Sequence, residues 1–122
     1  MAENHDKCLL KDGRIIVERL IVAERMFARM KGLLGRSGLA RGNAMLLRPC
    51  SSIHTFGMRF SLDLIFVDAD LHVVRIVKDI RPNRMVMGGR GAKSAIEIES
   101  GWFDFRQIDV GDTLVVAAVQ TD

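Results

Sequence analysis

Cysteine is scarce in this chain. Its two copies, Cys8 and Cys50, lack a C-x-x-C spacing, which excludes a zinc knuckle and a disulfide framework. The pattern predicts two reduced thiols, as in a reducing compartment. A Cys8–Cys50 bridge stays open, because its geometry is not written in the sequence. Aromatic residues are also few, with one Trp, six Phe and no Tyr. No RNP-type motif occurs and the basic residues are not interleaved with aromatics, so nucleic acid is not an expected partner. Three scattered histidines, His5, His54 and His72, show no ligand spacing, and no metal is expected. No apolar run is long enough to span a bilayer. The polar stretch 1–7 lacks the apolar core of a secretory leader. These absences predict a cytoplasmic protein with no membrane partner. The Walker spacing and the G-x-S-x-G elbow are both missing, and no cofactor is expected.

What is present fits a single domain spanning 1–122, with residues 1–6 expected to be disordered. A chain of this length can bury one core without staples. The net charge of +3 is modest, but it is unevenly spread. Residues 25–59 hold seven cations (Arg25, Arg29, Lys31, Arg36, Arg41, Arg48 and Arg59) and no Asp or Glu. A second acid-free stretch, 80–96, carries Arg81, Arg84, Arg90 and Lys93. Such stretches either meet the carboxylates elsewhere as surface ion pairs or leave a positive face for an anion.

Apolar and β-branched runs are short and punctuated. Residues 8–10 and 15–22 flank Asp12-Gly13, a dipeptide that supplies the positive φ angles of a tight hairpin turn. Apolar residues at 26, 27, 30, 33 and 34 lie on one face of a short helix. Strands are predicted over 44–47, 51–55 and 62–67. Asp68-Ala69-Asp70 turns the chain into a strand over 71–77. Residues 81–93, with Pro82 and three glycines, read as a loop with a flexible tip. The alternation over 94–99 predicts a half-buried strand. Residues 102–108 suggest a helical turn, and 113–119 a last strand. Seven or eight short strands with one short α-helix predict a mainly β fold. Tight connections make it a compact antiparallel barrel or sandwich of jelly-roll type.

Three blocks together resemble the bacterial and archaeal domain of unknown function 192 family. The first is Arg29-Met30-Lys31-Gly32-Leu33-Leu34-Gly35-Arg36. The second runs from Ala44-Met45-Leu46-Leu47 through Ile53-His54-Thr55 to Leu62-Asp63-Leu64-Ile65-Phe66-Val67-Asp68. The third joins Ile96-Glu97-Ile98-Glu99-Ser100-Gly101 to Val110-Gly111-Asp112. The resemblance covers residues 15–116 and implies a jelly-roll-like β fold with a small helix. It implies no activity. Many relatives carry Phe-Trp-Met where this chain has Ile53-His54-Thr55, so a role for that triplet does not carry over.

Several residues could bear chemistry. His54 can serve as a general base or as a donor to an anion. Asp63 lies in an apolar strand, and burial would demand a partner such as Arg29, Arg36 or Arg59. The glycines and cations of 87–94 could form an anion nest. Trp102 at a rim could stack a sugar or base. The leading expectation is a non-catalytic module binding a small anionic or sugar-like ligand through Arg29, Arg36, His54, Thr55, Arg59 and Asp63. Two alternatives stand beside it. One is a hydrolase-like enzyme using His54 as base, and the other is an interaction module docking a partner through 81–93.

Overall fold

Alternation along the central strands explains the architecture. In the strand Leu62–Val67 every residue is buried, which happens when both faces of a strand are covered. Leu62, Leu64 and Phe66 point into one core, and Ile65 and Val67 point into another. The computed structural model describes residues 3–24 and 39–119. Arg29, Arg36 and the helix predicted over 26–34 lie outside the described residues.

Nine strands follow in chain order: β1 (Glu3–Lys11), β2 (Arg14–Ala23), β3 (Asn43–Leu47), β4 (Ser52–His54), β5 (Leu62–Val67), β6 (Val73–Ile80), β7 (Met85–Met87), β8 (Ser94–Glu99) and β9 (Val115–Ala118). Seven of them form one sheet in the order β6-β5-β8-β3-β2-β1-β9, and β4 and β7 form a separate ribbon. Pairing in the large sheet is antiparallel except between β2 and β3. That parallel pair is bridged by residues 24–42, a connection long enough for the crossover that parallel strands require.

The sheet does not close into a barrel, but it curls until its edges touch. His72 and Thr113 form a bridge, and the Val73 N–H donates to the Asp112 carbonyl at 2.8 Å. This curl wraps Leu9, Leu20, Leu46, Ile65, Ile96 and Leu114 into one core. The opposite face buries Met45, Leu47, Leu62, Leu64 and Phe66. The β4–β7 ribbon covers that second core through Ile53 and Val86. The mainly β layered fold read from the sequence is therefore present, as a curled sheet with a ribbon over it.

Several local readings are sharpened. The Asp12-Gly13 hairpin forms, with positive φ at both residues and Lys11 facing Arg14. β1 reaches back to Glu3, inside the segment expected to be disordered, because Glu3 and Asn4 pair with Ala23 and Val22. The loop expected over 81–93 contains β7, which finds its partner in the distant β4. The strand over 94–99 is buried on both faces, Glu97 included, instead of half-buried. The helical turn suggested over 102–108 is a 3-10 turn at Phe105–Gln107, capped by Asp104. Both cysteines are buried, and the Cys50 thiol donates to the Ser52 carbonyl at 3.0 Å.

Candidate functional site

Of the residues expected to line one site, His54, Thr55, Arg59 and Asp63 are among those described. Asp63 is buried on β5. Its Oδ1 accepts from the Asp79 N–H at 2.7 Å and from the Ser100 hydroxyl at 3.0 Å. Those are its partners among the described residues, and Asp79, bonded through its N–H, has a positive φ of 56°. Asp63 borders a shallow cleft beside Lys78, Phe105 and Arg106.

Thr55 faces inward and is fully buried. Its hydroxyl donates to the Arg81 carbonyl at 2.7 Å and accepts from the Arg84 N–H at 2.9 Å. It therefore ties residues 81–84 to β4 and is unavailable to a ligand. Arg59 is exposed.

His54 lies at the end of β4, directly opposite Met85 of β7. Its ring stacks on Phe56 at 5.5 Å. The His54 Nδ1 is buried and has no hydrogen-bond partner among the described residues. No carboxylate orients the ring among the described residues, so the base–orienter pair of a hydrolase is not assembled there. The glycine-rich stretch is held tightly, with the Gly88 N–H on the Ser51 carbonyl at 2.8 Å. A Cβ at Gly88 would sit 2.5 Å from Ala92 Cβ and 2.6 Å from Phe66 Cδ1. Only glycine permits that approach.

Asp68, Asp70 and His72 come together at the β5–β6 turn. Asp68 Oδ1 accepts from the Asp70 and His72 N–H groups, both at 2.9 Å, and Oδ2 meets His72 Nδ1 at 3.0 Å. The backbone donor of His72 is the chief cause that holds the Asp68 carboxyl below its ordinary pKa. The carboxylate thus works as a turn cap.

A cleft of about 360 Å³ opens where β2 runs past the start of β3, lined by Ile15, Ile16, Glu18, Arg41, Gly42 and Trp102. Each polar member is placed by local structure. The Asn43 N–H donates to the Ala40 carbonyl at 3.0 Å, and Gly42 takes a φ of 89° in that turn, which favours glycine. The turn sets Arg41 beside β2, where the Arg19 N–H meets the Gly42 carbonyl at 3.2 Å. The Glu18 Oε2 lies against Gly42, 3.8 Å from where a Cβ would stand. Trp102 is positioned by edge-to-face packing on Phe103 at 5.8 Å, and Phe103 packs on Phe105 at 4.7 Å. The Trp102 Nε1 is buried with no hydrogen-bond partner among the described residues. A wider groove of about 810 Å³ adjoins this cleft, sharing Ile15 and Glu18 and reaching Cys8, Leu10 and Val119.

Sequence reasoning named Trp102 as a rim residue and Arg41 as a cation of the acid-free stretch, but it did not join them and missed Glu18. The Arg41-Gly42 dipeptide ahead of a strand was the available signal. No helix among the described residues is long and apolar enough to cross a membrane.

Comparison with known proteins adds family and fold. The profile of DUF192, described as uncharacterized ACR, matches residues 9–116. A UPF0127 protein from Thermococcus sibiricus is 32% identical over 106 residues, covering 84% of this chain and 68% of that protein. A protein of unknown function from Novosphingobium aromaticivorans has a similar crystal structure, with a TM-score of 0.74 at 22% identity, over 89% of this chain and 82% of that one. A candidate transcription regulator from Sinorhizobium meliloti aligns with a TM-score of 0.75 at 18% identity, over 95% and 96%. These two likenesses establish the fold alone.

Proposed function

The chain belongs to the DUF192 family of uncharacterised proteins, and from that premise we propose a non-catalytic binding domain for a small anionic, sugar-like ligand held beside Trp102. One observation carries the reading. The indole N–H of Trp102 is buried and has no acceptor among the described residues, in a cleft that a carboxylate, a guanidinium, a glycine and two isoleucines also line. Buried donors are normally satisfied, and a ligand oxygen would satisfy this one. The apolar face of a sugar stacks on indole. Glu18 accepts from hydroxyl groups, and Arg41 pairs with a carboxylate or phosphate in the bidentate geometry that guanidinium favours. At about 360 Å³ the cleft falls within the range of roughly 300–1,000 Å³ typical of small-molecule sites.

Trp102 is the only tryptophan and the chain has no tyrosine, so intrinsic emission reports on this cleft directly. Titration with hexuronic acids, sugar phosphates and neutral sugars should give a saturable change in Trp102 emission with the acidic members. Arg41→Met should weaken that response at least tenfold while the melting temperature of the free protein stays put. If the whole panel leaves both emission and melting temperature unmoved, the reading fails.

A further inference from the structure

We propose that His54, Met85 and Met87 form a site for a soft monovalent metal ion, of which copper(I) is the biological example. Pairing of β4 with β7 sets His54 opposite Met85 and Ser52 opposite Met87. Paired strand residues share a face, and neighbours along a strand alternate. Ile53 and Val86 turn into the core, which leaves Ser52, His54, Met85 and Met87 together on the outer face.

Two features of that face point to a ligand. Met85 is 64% exposed and Met87 59% exposed, although methionine ordinarily lies inside. Both thioethers stand in water beside one imidazole. The second feature is the His54 ring, whose buried Nδ1 has no hydrogen-bond partner among the described residues. Phe56, stacked on the ring at 5.5 Å, keeps it in place and shields one side.

The donor set selects the ion. Thioether sulfur and imidazole favour copper(I) and its congener silver(I), whereas calcium, magnesium and manganese seek carboxylate and carbonyl oxygen. The exposed Arg81 and Arg84, tied by their backbones to Thr55, adjoin the ribbon and disfavour ions that bind by charge alone. Cross-strand partners have Cβ atoms roughly 4.5–5.5 Å apart. Methionine, with three rotatable bonds, can swing its sulfur toward a common centre. Only side chains need to move, because the backbone is tied at both ends. The Thr55 N–H meets the Arg84 carbonyl at 2.8 Å, and the Gly88 N–H meets the Ser51 carbonyl at 2.8 Å. The Arg75 guanidinium also caps the Met87 carbonyl.

This face is built from other strands than the Trp102 cleft and stands or falls apart from it. The test uses the full chain, reduced and anaerobic, with its methionine methyl groups labelled with carbon-13. Silver(I) is the redox-inert probe, and copper(I) affinity is read by competition with bathocuproine disulfonate. One equivalent of silver(I) should shift the Met85 and Met87 methyl signals and the His54 ring signals, and leave buried Met45 unmoved. Met85→Leu and Met87→Leu keep the apolar bulk and should each weaken copper(I) at least tenfold without changing the melting temperature of the metal-free protein. Metal taken up with the two methyl signals unmoved, through Cys8 or Cys50, would overturn the proposal. So would leucine variants that bind as tightly as the parent chain, or no uptake at all.

Discussion

Thr55 and Arg84 are tied to each other twice. The Thr55 N–H donates to the Arg84 carbonyl at 2.8 Å, and the Arg84 N–H donates to the Thr55 hydroxyl at 2.9 Å. The same hydroxyl donates to the Arg81 carbonyl at 2.7 Å. Thr55→Val keeps the shape and removes this hub, leaving the Arg84 N–H without its acceptor. The expected cost is about 1–3 kcal/mol, read by urea unfolding. Thr55→Ser should restore most of it. A Val variant as stable as the parent would show that the hydroxyl does not fasten the ribbon.

Gly88 tests packing at the other end of the ribbon. A Cβ there would lie 2.5 Å from Ala92 Cβ, 2.6 Å from Phe66 Cδ1 and 2.9 Å from the Ser51 carbonyl oxygen. Phe66 and Ala92 are buried, so neither can step aside freely. Gly88→Ala should destabilise by about 1–3 kcal/mol, the usual range for overpacking. A melting temperature equal to the parent's would mean that the ribbon can lift from the sheet at no cost.

Asp63 holds Asp79 in its left-handed conformation through the 2.7 Å bond to the Asp79 N–H. Asp63→Ala orphans that donor and the Ser100 hydroxyl, at a cost of roughly 1.5–3 kcal/mol. Asp63→Asn retains an acceptor oxygen and should cost less. Equal losses for Ala and Asn would instead point to the negative charge as the stabilising feature.

The Lys11–Asp112 pair, 2.9 Å apart, predicts how stability follows pH. The Lys11 side-chain hydrogen bond is the main cause that lowers the Asp112 carboxyl pKa. A depressed folded pKa gives stability present above the unfolded value, about 3.9, and lost as pH falls through the folded one. The reciprocal bond to Asp112 raises the Lys11 pKa. That contribution is present below the unfolded value, about 10.4, and is lost as pH rises through the folded one. The pair's contribution should be level from about pH 5 to 9 and fall at both ends. Asp112→Asn should flatten its share of both limbs in a plot of melting temperature against pH. A parallel downward shift at every pH would exclude the linkage.

Much of the strand layout was legible because it is local. Asp12-Gly13 specified its own turn, and Asp68-Ala69-Asp70 specified the next hairpin, since positive φ and side-chain caps are properties of adjacent residues. The burial of Asp63 followed from its place on an alternating strand, where it shares a face with Ile65 and Val67. The two-sided burial of β8 did not follow. Its Ala-Ile-Glu-Ile-Glu pattern reads as half-exposed, and the sheet's opposite cover comes from segments remote in sequence. The candidate site was the least legible part. His54 and Met85 oppose each other only through non-local pairing, and the stretch around Met85 looked like loop because its glycines and proline outweighed a three-residue strand.

Local backbone preference and hydrophobic period determined, from the amino acids alone, where this chain is β, where it turns and that its fold is mainly β. Tertiary structure alone decided that β2 and β3 run parallel, that Thr55 turns inward, and that Glu18, Arg41 and Trp102 share a cleft. The physical reason is that strand order and curl are chosen by burying both faces of the sheet at once. That choice depends on contacts between distant segments, and a pattern read along the chain does not contain them.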